Sequence, residues 1–83
     1  MARILYFAWV REKMGLGEER VSVPETVHTV TQLTQFLRAR DPRFDAALSD
    51  PSLRVAVNQE HAQPDTRVTD RDEIAFFPPV SGG

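Results

Sequence analysis

Apolar residues occur in short blocks separated by proline, glycine and acidic clusters, and the spacing within each block predicts its element. Ile4-Leu5-Tyr6-Phe7-Ala8-Trp9-Val10 is an unbroken run of β-branched, aromatic and aliphatic residues. It reads as a strand, and as the most apolar one it is expected near the centre of a sheet. Residues 11–14 are expected to form one helical turn, broken by Gly15 and Gly17. Glu19-Arg20-Val21-Ser22-Val23 alternates polar and apolar positions up to Pro24, the pattern of a strand with one wet face. The two strands are close in sequence and predict an antiparallel hairpin. In Thr29-Val30-Thr31-Gln32-Leu33-Thr34-Gln35-Phe36-Leu37, the residues Val30, Leu33 and Leu37 recur at helical spacing with Phe36 beside them. Thr29 and Gln32 have the spacing of a capping box, and Asp41-Pro42 marks the stop.

The second half reads in the same way. A short helical turn over 43–50 carries Phe44, Ala47 and Leu48. Leu53-Arg54-Val55-Ala56-Val57 is a third strand, followed by a turn at Asn58-Gln59-Glu60 and a brief pairing at His61-Ala62. Asp70-Arg71-Asp72 is a turn, Glu73-Ile74-Ala75-Phe76-Phe77 is the last strand, and Pro78-Pro79 ends it. This order predicts an α+β fold, a mixed sheet with one main helix packed on one face. Placing the first and last strands side by side makes it a β-grasp. The expected division is a domain over 1–77 and an extended tail over 78–83. Phe76 and Phe77 are adjacent on a strand and so point to opposite faces. Phe76 is assigned to the core and Phe77 to a partner surface, with Phe7 and Trp9 extending that patch from the neighbouring strand.

Composition narrows the functional classes. Eighty-three residues make one small domain, and the formal net charge is −2. That balance supplies neither the basic face of a nucleic-acid binder nor the polybasic attraction of a membrane-surface protein. There is no cysteine, hence no thiolate nucleophile and no disulfide framework. Residues 2–10 are too short for a membrane span and carry Arg3, so a cytoplasmic location is expected. His28 and His61 have no ligand-spaced companion, so no metal is expected. The acidic residues Asp65, Asp70, Asp72 and Glu73 lack the spacing of a calcium loop. Arg38, Arg40 and Arg43 complement a helix C-terminus.

The closing residues have a chemical reading of their own. Pro78 and Pro79 cannot donate to a ladder and leave the sheet extended. The six residues from Pro78 to Gly83 span roughly 20 Å at full extension. Val80, Ser81 and Gly82 belong to this inserting arm, and the slim Gly82 and Gly83 let the backbone enter a narrow channel. A terminal glycine carboxylate is unhindered but inert. Adenylation by ATP would turn it into an acyl phosphate anhydride, releasing pyrophosphate. Sulfide or a persulfide could then displace AMP and leave a thiocarboxylate at Gly83.

Ala75-Phe76-Phe77-Pro78-Pro79-Val80-Ser81-Gly82-Gly83 closely resembles the C-terminal signature of the molybdopterin synthase small subunits. Leu5-Tyr6-Phe7-Ala8-Trp9-Val10-Arg11-Glu12, Val55-Ala56-Val57-Asn58-Gln59 and Thr69-Asp70-Arg71-Asp72-Glu73 are similar to interior segments of the same family. The resemblance implies a ubiquitin-like sulfur carrier of molybdenum cofactor biosynthesis, with no permanently bound cofactor. An adenylating, sulfurating enzyme would use ATP to activate Gly83. Two carriers would join a dimer of the large subunit as a heterotetramer and donate sulfur to cyclic pyranopterin monophosphate. The carrier is then the sulfur-donating subunit of a transferase whose catalytic side chains sit in the large subunit. Glu60-His61 departs from the apolar residue common after the Asn-Gln turn, which makes His61 a partner-binding candidate beside Phe7 and Phe77. Sulfur donation for thiamine or tRNA thiolation, and a ubiquitin-like modifier or interaction domain, remain as alternatives.

Overall fold

The computed structural model describes residues 1–79. Its elements are β1 (Ala2–Tyr6), α1 (Ala8–Met14), β2 (Glu18–Val21), α2 (Val30–Arg38), α3 (Pro42–Leu48), β3 (Arg54–Val57), β4 (Glu60–His61) and β5 (Glu73–Phe77). The strands form one sheet in the order β2-β1-β5-β3-β4. β1 and β5 run parallel, and the other pairs are antiparallel. The fold is the expected α+β β-grasp, with the first and last strands adjacent and β5 in the middle.

The first apolar block does not stay a strand. β1 stops at Tyr6, and Phe7 is the extended N-cap of α1, with φ −119° and ψ 154°. Ala8 then takes φ 55°, a left-handed conformation that costs an L-residue roughly 1–2 kcal/mol and redirects the chain. Trp9 and Val10 therefore lie in a helix, not in the strand expected for residues 4–10. The helical spacing was present in the sequence: Val10 and Met14 are one turn apart and both buried. Trp9 and Lys13 share the same spacing, with the Lys13 ammonium 5.1 Å from the indole centroid. Gly15 closes the helix at φ 80°, its N–H donating to the Arg11 carbonyl.

In α2 the Thr29 hydroxyl accepts from the Gln32 N–H at 3.2 Å. The Gln32 side chain reaches back to the N–H of His28 at 2.7 Å, one residue earlier than in the usual box, while Thr29 itself forms a bridge with Arg67. Asp41-Pro42 proves to be a start signal. Asp41 caps α3 by accepting from the Arg43 N–H at 2.7 Å, with Pro42 at the first helical position. Phe44, Ala47 and Leu48 of α3 join the core. The main helix is α2, as expected, and the helical turns expected over 11–14 and 43–50 are the longer helices α1 and α3.

Alternation sorts the strands between two faces. Ala2, Ile4, Tyr6, Val21, Val57, Ile74 and Phe76 are buried under the helices with Val10, Met14, Val30, Leu33 and Leu37. Tyr6 stacks on Phe76, ring centroids 5.9 Å apart. Its hydroxyl donates to Glu19 Oε2 at 2.7 Å, and Glu19 Oε1 accepts from Arg40 at 2.8 Å. Burial first, and then the bond to Glu19, push the Tyr6 hydroxyl far above the ordinary phenol range.

Candidate functional site

Among the described residues the other face of the sheet carries no helix, and the last described residues leave from the end of the central strand β5. Register places its residues. Leu5 lies beside Ala75, Ala75 beside Ala56, and Ala56 beside His61. Two residues nearer the C-terminus, Phe77 pairs with Arg54. β5 is held by β1 on one side and β3 on the other up to this point, so the root of the tail is anchored in the middle of the sheet. Pro78 follows half-buried and Pro79 exposed, and neither has an N–H with which to extend the ladder.

The expected partner-surface residues separate into three outcomes. Phe77 is half-buried, and His61 approaches it edge-on with ring centroids 5.8 Å apart and planes at 63°. These rings come from β5 and β4, and the strand between them contributes Ala56 and, opposite Phe77, Arg54 to the same face. Phe7 continues the outward alternation of β1 and is 48% exposed. Its N–H donates to the Phe76 carbonyl at 3.1 Å, which places it beside the tail root. Trp9, expected on this patch, is instead in α1 and packs against the core. Val80, Ser81, Gly82 and Gly83 lie outside the described residues.

Toward the other end the face becomes ionic. Arg3 donates from Nε and Nη2 to both oxygens of Glu18 at 3.0 and 3.2 Å, and from Nη1 to Glu73 at 3.3 Å. The Arg3 hydrogen bond, followed by its charge, holds the Glu18 carboxyl below the ordinary range. This triad was not anticipated. Its signal was Arg3 itself, a charge inside an apolar strand that marks which alternate positions face water. The face therefore carries its aromatic residues at the end where β5 finishes, with Arg54 beside them, and an ionic cluster at the far end, the layout of a docking surface with a polar margin. Among the described residues, no group of three or more His, Cys, Asp or Glu side chains is placed to hold a metal. No helix among them is long and apolar enough to cross a membrane.

A β-grasp sheet whose central strand ends at Pro78-Pro79, with partly exposed aromatic rings beside that end, defines a small carrier or modifier scaffold. Residues 4–83 match the ThiS family, and the chain belongs to that family. It is 43% identical to the molybdopterin synthase sulfur carrier subunit of Escherichia coli over the whole of both chains. It is 35% identical to the subunit of that name from Chlamydomonas reinhardtii, over 98% of this chain and 96% of the relative. Among solved structures, SAMP1 from Haloferax volcanii superposes with a TM-score of 0.76 at 30% identity, covering 99% of this chain and 98% of the other.

Proposed function

We propose that this chain is the sulfur carrier subunit of molybdopterin synthase, with the carboxylate of Gly83 as the acyl group that bears sulfur. The observation that carries the reading is the 43% identity, over the full length of both chains, to a protein of that function. The geometry supports it. β5 is the central strand and ends beside Phe7 and Phe77, so a partner that covers this face meets the chain where Pro78 and Pro79 leave the sheet.

In this reading an adenylating enzyme attacks ATP with the Gly83 carboxylate, releasing pyrophosphate and forming the acyl adenylate. A sulfur donor displaces AMP and leaves the thiocarboxylate. The carrier then docks on the large subunit through Phe7, Phe77 and His61, two carriers to a large-subunit dimer, in the cytoplasm. Pro78 and Pro79 direct Val80, Ser81, Gly82 and Gly83 into the partner's active site, where sulfur passes to cyclic pyranopterin monophosphate. The side chains of this domain position the arm, and the partners supply the groups that act on it.

The test is intact mass. Incubation with the adenylating enzyme, ATP and a sulfur source should raise the mass by the difference between one sulfur and one oxygen. Persistence of the unmodified mass would refute any carrier function. A modifier function has the likeness to SAMP1 in its favour, and it predicts instead a branched product in which Gly83 is amide-linked to another protein. Sulfur transfer from the thiocarboxylate to cyclic pyranopterin monophosphate by the large subunit separates this pathway from thiamine or tRNA thiolation.

A further inference from the structure

An activated carboxyl forms a stable amide with an amine, and this chain offers very few amines. Of its ten basic side chains nine are arginine, and only Lys13 is lysine. A guanidinium stays protonated in a protein and has no lone pair to offer, which leaves Lys13 and the Met1 terminus. The fold separates these two. β1 and β5 run parallel, and the Phe7 N–H donates to the Phe76 carbonyl at 3.1 Å, so Phe7 stands beside the end of β5. Met1 lies six residues before Phe7, roughly 20 Å away at the rise of a strand. Its ammonium is held 3.0 Å from Asp70 at the opposite end of the sheet. Lys13 lies six residues after Phe7 on α1, only about 9 Å away at the rise of a helix. Lys13 is exposed, and a second contact places it at the same end of the molecule. The Ser52 hydroxyl and N–H, and then the Lys13 charge, hold the Asp50 carboxyl below its ordinary range. Arg54, four residues beyond Asp50, pairs with Phe77.

We propose that Lys13 is the acceptor in an intramolecular acyl transfer: when no sulfur donor meets the Gly83 adenylate, the Lys13 amine attacks its acyl carbon and closes an amide between residues 13 and 83 of one chain. This rests on the adenylation reading above. The new bond joins Lys13 Nζ to the acyl carbon, and the bond from that carbon to the AMP oxygen breaks. AMP leaves with the electron pair, and the proton of the amine goes to solvent. The six residues from Pro78 to Gly83 span roughly 20 Å, about twice the separation of Phe7 and Lys13, whereas Met1 lies at the limit of that span. A short tether supplies an effective concentration in the millimolar range, which favours closure within the chain over attack by a second copy. The closed product has no free carboxylate to load with sulfur, so ring closure and sulfur loading compete for the same acyl group.

The experiment incubates the full chain with the adenylating enzyme and ATP but no sulfur source, and follows pyrophosphate release, intact mass and the peptide map. A monomer lighter by one water should accumulate, with Gly83 linked to Lys13 Nζ in the digest. Adding the sulfur source should suppress it in favour of the thiocarboxylate. Lys13→Arg, which keeps the charge beside Trp9, should abolish the lighter species and leave pyrophosphate release and sulfur loading intact. Pyrophosphate release without the lighter species, its persistence in Lys13→Arg, a link to Met1, or a Gly83–Lys13 link found only between two chains would overturn the proposal. Absence of pyrophosphate release would overturn the adenylation reading itself, and this inference with it.

Discussion

Phe76 and Phe77 are the same residue one position apart on one strand, yet the two faces of the sheet give them different work. Phe76 is 1% exposed, stacked on Tyr6 beneath the helices. Phe77 is only half-buried, with His61 edge-to-face against it. On the covered face, apolar area removed from water stabilises the fold. On the open face, the same kind of area is still available to a second protein. The difference shows how so small a domain serves both stability and recognition: strand alternation assigns every second residue to each task.

The largest test of this division lies beyond both faces. Removing Gly83, or extending the chain past it, should abolish sulfur transfer to the large subunit and leave the melting temperature unchanged. Normal transfer by an extended arm would refute the acyl assignment. Next in size, Phe76→Ala should cost about 3–5 kcal/mol in denaturant unfolding, a large part of the stability of such a domain. Phe77→Ala should do the reverse, weakening the large-subunit complex by about tenfold to a hundredfold with little change in melting. A Phe77→Ala variant that melts early but binds normally would move Phe77 to the covered side of the comparison.

The smallest expected effect is read by pH at the cap of α3, on the covered side of the comparison. The Arg43 backbone N–H, followed by the Arg43 side chain, holds the Asp41 carboxyl below its ordinary range, as Arg3 does for Glu18. A carboxylate depressed in the folded state contributes stability above its unfolded pKa and loses it as pH falls through the folded value. Unfolding midpoints should therefore hold down to about pH 4 and decline below it, with a shallower decline in Asp41→Asn. An identical acid limb in that variant would remove Asp41 from the account.

Much of this layout was legible in the chain because it depends on neighbours in sequence. The last strand has the expected bounds, since Asp70-Arg71-Asp72 and Pro78-Pro79 punctuate it on both sides. The Thr29 cap is a contact between residues three apart. The opposed faces of Phe76 and Phe77 follow from strand geometry alone. Reading residues 4–10 as one strand failed because a continuous apolar run fits a strand and a buried helix equally well. The partners that decide between them, the pairing strand β5 and the packing helix α3, lie well downstream.

The sequence by itself determined the alternation, the caps, the turns and the prolines that end β5, all consequences of local sterics and short-range hydrogen bonds. Only the tertiary structure decided that the helices settle over Phe76 and leave Phe77 open. It also ended β1 at Tyr6 through the left-handed Ala8, and brought His61 across Ala56 to Phe77. Those outcomes depend on burial and register among segments distant in the chain, where the free energy belongs to the assembled sheet and not to any one segment.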